Sequence, residues 1–65
     1  MNVQGRQVVV LWEGGGVTCT CVAVAVDHIE ICLVASNVIV DRQVFTDADA
    51  ASRYALDKMR AYQAL

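Results

Sequence analysis

Valine and isoleucine crowd the first two-thirds of the chain in short runs broken by turn residues, whereas the last third is rich in alanine with charges at helical spacing. This switch from a period of 2 to a period near 3.6 predicts strands followed by a helix. Strands are expected over residues 6–13, 17–26, 29–35 and 38–45, and a helix over 47–63. Together they make one α+β domain spanning residues 1–65: a four-stranded antiparallel β-meander with a single C-terminal helix packed on one face. Gly14, Gly15 and Gly16 can take the positive φ values of a tight hairpin. Asp27-His28 and Ser36-Asn37 are expected to form two-residue turns.

Turns set register, and register sets which face each side chain takes. With Asp27-His28 as the turn, Val26 faces Ile29, Val24 faces Ile31 and Val22 faces Leu33. With Ser36-Asn37 as the turn, Leu33 faces Val40 and Ala35 faces Val38. All of these fall on one face, as packing against a helix requires. Arg42 is the misfit, since the same register aims it at the core. Either it snorkels past the sheet edge or a bulge turns it outward. Trp12 has two readings as well. A two-residue glycine turn puts it on the outer face, and a three-residue loop puts it in the core, the placement we favour.

For the helix, Thr46 is the expected N-cap, with Asp49 three residues on as a variant capping box. Asp47 and Asp49 suit the positive end of the helix dipole, and Lys58 and Arg60 the negative end. Ala48, Ala51, Ala55, Met59 and Tyr62 form one apolar stripe, with Leu56 on its flank.

Composition adds one pressure and removes several classes. Hydrophobic residues make up 57% of the 65, although a chain this short buries only about 60% of its unfolded surface. Apolar surface is therefore expected to stay exposed in a monomer. The apolar runs are far shorter than the ~20 residues of a spanning helix, and residues 1–6 do not read as a signal peptide. No membrane association is expected, and the expected compartment is the cytoplasm. The three cysteines are an odd number and read as reduced thiols. A net charge of −2 predicts no nucleic-acid partner.

None of the reactive side chains assembles into a recognisable site. Cys19 and Cys21 sit two apart on a strand, which spreads their sulfurs by roughly 7 Å, too far for easy chelation with Cys32 or His28. Gly14, Gly15 and Gly16 precede a strand instead of a helix and lack the Lys and Ser/Thr of a phosphate loop. Glu30 and Asp41 are expected on adjacent strands of one face, as solvated charges more than as an acid–base pair. Asp49, Arg53 and Asp57, spaced four apart, read as supporting surface pairs. The sequence thus predicts no catalytic residue, no metal site and no cofactor.

The expected function follows from the outer face of the sheet. Cys19, Cys21 and Ala23 on the second strand, Cys32 and Val34 on the third and Ile39 on the fourth are expected there. One helix cannot cover both faces, so a second copy of the chain is the expected cover. The sequence thus predicts a non-enzymatic protein-interaction or accessory protein, homodimeric through this outer face, with a further protein as an alternative partner. The other reading is a small-ligand module whose pocket lies between facing sheets, lined by Cys19, Cys21, Cys32 and Trp12.

Overall fold

A computed structural model describes residues 7–64. Strands β1 (Val8–Gly14), β2 (Val17–Ala25), β3 (His28–Ala35) and β4 (Val38–Phe45) form one antiparallel sheet in the order β1-β2-β3-β4. Helix α1 (Ala48–Gln63) follows and packs on one face, giving the expected α+β architecture. Arg6, the expected first residue of the first strand, lies outside the described residues.

The chain turns where backbone chemistry permits. Gly15 and Gly16 have φ of 61° and 78°, and Ser36 and Asn37 have φ of 53° and 66°, the left-handed pairs that match the twist of a hairpin. Gly15 is fixed a second way, because a Cβ there would stand 2.6 Å from the carbonyl oxygen of Tyr62. The middle hairpin departs from expectation. Its turn is Val26-Asp27, with Ala25 opposite His28, in place of Asp27-His28. Neither turn residue has positive φ, so no glycine or asparagine marks the position.

Each strand pairing contains one residue without a partner: Leu11 in β1, Val24 in β2 and Val40 in β4. These bulges decide the faces. Around Val24 the register becomes Ala23 opposite Ile29, Cys21 opposite Ile31 and Cys19 opposite Leu33. That is three residues out of step with expectation, an odd shift, so β2 is turned over. Cys19, Cys21 and Ala23 therefore look toward the helix, and Thr18, Thr20 and Val22 occupy the outer face. The Val40 bulge turns Arg42 outward, opposite Cys32, and brings Asp41 to the helix side opposite Leu33. Trp12 sits in the core opposite Cys19. It reaches the core with a two-residue glycine turn, because β2 itself is inverted.

The core is a small cluster of Val17, Cys19, Ile29, Ile31 and Leu33 from the sheet with Ala51 and Ala55 from the helix. The two alanines let α1 lie close to the strands, and the larger side chains pin it at both ends. Trp12 donates its indole N–H to the Ala55 carbonyl at 2.9 Å and lies 6.3 Å from the Tyr62 ring. Toward the start of the helix, Tyr54 packs 5.2 Å from Phe45. The N-cap is Asp47 instead of Thr46: its carboxylate accepts from the Ala50 N–H at 2.8 Å. An anionic cap also gains from the helix dipole, which a threonine cannot use.

Leu33 is fully buried and Val26 is 95% exposed, which makes them a matched test of where the stability lies. Leu33→Ala is expected to cost about 2–5 kcal/mol, a large share of the ~3–10 kcal/mol available to a domain of this size. Val26→Ala should change stability by less than about 0.5 kcal/mol. Urea unfolding followed by Trp12 fluorescence measures both.

Candidate functional site

The register sorts the paired strand residues into rows across the sheet. On the helix side run Val9, Cys21, Ile31 and Gln43, and beside them Trp12, Cys19, Leu33 and Asp41. On the outer face run Val8, Val22, Glu30 and Val44, then Val10, Thr20, Cys32 and Arg42, then Glu13, Thr18, Val34 and Ile39. The six residues expected to form one outer surface are thus divided. Cys32, Val34 and Ile39 lie on the outer face, whereas Cys19, Cys21 and Ala23 lie beneath or beside the helix. Cys19 is wholly buried.

The same division separates the three thiols, with Cys19 and Cys21 on one side of the sheet and Cys32 on the other. Burial pushes the Cys19 thiol up from its ordinary range, with Cys21 and then Cys32 adding to the effect. Burial alone pushes Cys21 up. Both are held as neutral thiols. The pocket lining expected from Cys19, Cys21, Cys32 and Trp12 also does not converge, since Cys32 faces away from the other three.

Glu30 and Asp41, expected as neighbours on one face, are on opposite faces and have different partners. On the outer face the Glu30 carboxylate takes Arg42 and His28. Arg42 donates through Nε to Oε1 at 3.3 Å and stands 3.0 Å from Oε2 through Nη2, while His28 Nε2 lies 3.1 Å from Oε2. The His28 hydrogen bond, then that of Arg42, holds the Glu30 carboxyl below its ordinary value. On the helix side, Asp41 accepts from the Tyr54 hydroxyl, from the Arg42 N–H at 2.9 Å and from Gln43 Nε2 at 3.3 Å. The Tyr54 hydrogen bond is the main cause of the lowered Asp41 carboxyl. Tyr54 is pushed up in turn, first by burial and then by Asp41, and Lys58 Nζ lies 5.5 Å from its ring centre. Among the described residues both ion pairs involve Glu30, so Asp49, Arg53 and Asp57 on the helix do not pair.

Exposed apolar surface lies on both outermost strands, at Val38, Ile39, Val40 and Val44 of β4, where Asp41 and Arg42 interrupt it, and as an unbroken run on β1. Val8, Val9 and Val10 are 64%, 51% and 53% exposed, although they lie within a strand. Val8 and Val10 belong to the outer face and Val9 to the helix side. Leu11 also reaches the helix side, where it lines an apolar cleft with Cys21, Ala23, Ile29, Ile31 and Ala48. At about 230 Å³ the cleft is below the ~300–1,000 Å³ of small-molecule pockets, and suits one or two apolar side chains. The signal for this margin lay in the unbroken run from Val8 to Trp12, on a strand that a meander leaves at the edge. The interrupted centre of the outer face, with Thr18, Thr20, Glu30 and Arg42, was hidden by the Val24 and Val40 bulges.

The two lowered carboxyls have a sign that can be checked. Their ordinary values are 4.5 for Glu30 and 3.8 for Asp41, and both fall in the folded chain. Their contribution to stability is complete above the ordinary values and is lost as pH drops through the lowered ones. The urea midpoint should hold steady down to about pH 5 and decline below about pH 4. Glu30→Gln and Asp41→Asn should each flatten that decline, and Tyr54→Phe should move the Asp41 carboxyl back up in an NMR titration.

No protein-family model, curated protein or solved structure matches this chain.

Proposed function

We propose that the protein is a small non-enzymatic interaction protein that self-associates through its sheet, with the contact centred on the exposed β1 margin. The observation that carries this reading is the uncharged run from Val8 to Leu11 on an outermost strand, with Val8, Val9 and Val10 each more than half open to water, whereas the comparably exposed Val38, Ile39 and Val40 of β4 lead into Asp41 and Arg42. Val22 extends the patch inward from Val8 on the outer face. Contiguous apolar surface of this kind marks a contact site.

The centre of the face, with its threonines and the Glu30–Arg42 pair, supports a contact at the margin in preference to one spread over all four strands. Chemistry supports the non-enzymatic part. His28 is engaged by Glu30, Asp41 by Tyr54, and Cys19 and Cys21 are raised thiols. His28 and Glu30 are thus engaged on the outer face and Asp41 and Tyr54 on the helix side, with the whole sheet between the two pairs.

Size-exclusion chromatography with light scattering over a concentration series tests the proposal. A mass approaching twice 7.0 kDa is expected as concentration rises, with little response to salt, because apolar contacts are not screened. A chain that keeps its monomer mass to about 1 mM, the limit of a roughly −4 kcal/mol association, overturns the reading.

A further inference from the structure

Resting on the reading that the protein self-associates, we infer that two copies join edge to edge by antiparallel pairing of their β1 strands, forming one sheet of twice four strands. In the described chain β1 pairs with β2 alone. Its other side presents backbone N–H and C=O groups at strand spacing, a template that another strand fits.

Side chains on both faces distinguish this mode from stacking of two outer faces. Stacking would cover Val8 and Val10 but leave Val9 and Leu11 in water. An added strand lies alongside all four. On the helix side, the incoming Val9 and Leu11 come next to the cleft of about 230 Å³ that Leu11, Cys21 and Ala23 border, and supply apolar side chains of the size it holds.

The partner is a second copy because β1 is compatible with itself and β4 is not compatible with β1. Antiparallel pairing centred on Val9, short of the Leu11 bulge, sets Val9 opposite Val9, Val8 opposite Val10 and Gln7 opposite Leu11, so that opposed residues share a face. No like charges meet, whereas a parallel pairing in register would set Glu13 against Glu13. β4, the other outermost strand, carries Asp41 and Arg42 in its middle, charges that blunt an edge, whereas residues 8–11 of β1 carry none. Pairing of β1 with β4 would also propagate without end, while pairing of β1 with itself closes on a two-fold axis.

The test combines two substitutions with amide hydrogen exchange. Val9→Lys places charge on the margin but off the outer face, and Thr20→Lys places it at the centre of the outer face. The expected result is a dimer whose dissociation constant rises about tenfold or more with Val9→Lys, as two-fold-related charges meet, and hardly changes with Thr20→Lys. In the wild type, exchange of amides in residues 8–12 should slow as concentration is raised through the dimer midpoint. A dimer that survives Val9→Lys, or whose β1 amides exchange alike at all concentrations, overturns the edge pairing while self-association stands. A monomer at every concentration removes both. If circular dichroism shows that Val9→Lys does not fold, the wild-type exchange experiment alone decides.

Discussion

Each of the three strand pairings carries one unpaired residue, and these three residues govern what the rest of the molecule can do. A strand alternates its side chains with a period of two, so one inserted residue exchanges inside for outside over everything beyond it. Leu11 allows Val9 and Trp12, three apart, to share the helix side. Val24 allows β2 to present Cys19 and Cys21 to the core while its far end still meets β3. Val40 sends Arg42 to Glu30 and Asp41 to Tyr54. Without that last bulge a guanidinium would be pressed against the helix and its carboxylate partner stranded on the opposite face, an arrangement costly to bury.

Given those faces, one helix of modest girth must cover a four-stranded sheet, and it covers part of it. The fully buried residues lie on β2 and β3, the central strands. Trp12 and Tyr62 hold the later turns of α1 over the glycine end of β1, and Tyr54 with Phe45 holds the earlier turns over β4. The seating is diagonal, so the opening residues of β1 remain outside the helix's reach. A small core and an open apolar margin are thus two aspects of one geometry.

The element order and the helix were legible in the residues, because runs of β-branched residues and an alanine-rich stretch with spaced charges have distinct periods. So was the Ser36-Asn37 turn, since its left-handed backbone demands residues that tolerate it. The middle turn was not legible, because Val26-Asp27 uses no positive φ and therefore no diagnostic residue. Nor was the face of β2. Val22, Val24 and the Cys19, Cys21, Ala23 set are all apolar, so either face would pack against Ile31 and Leu33 by hydrophobicity alone. The valine that bulges is indistinguishable in type from its neighbours. The orientation of Trp12 came out correctly although the loop length invoked for it did not, because two errors, each of an odd number of residues, cancelled.

The indole of Trp12 and the carbonyl of Ala55 are 43 positions apart in the chain. The three hairpins can close locally, each needing only its own turn. The contact between Trp12 and Ala55 requires the helix to lie back across the meander on the first strand, closing about two-thirds of the chain into a loop, which costs more entropy than any hairpin turn. Burial of the indole therefore reports the docking of helix on sheet, and not the closure of any one hairpin.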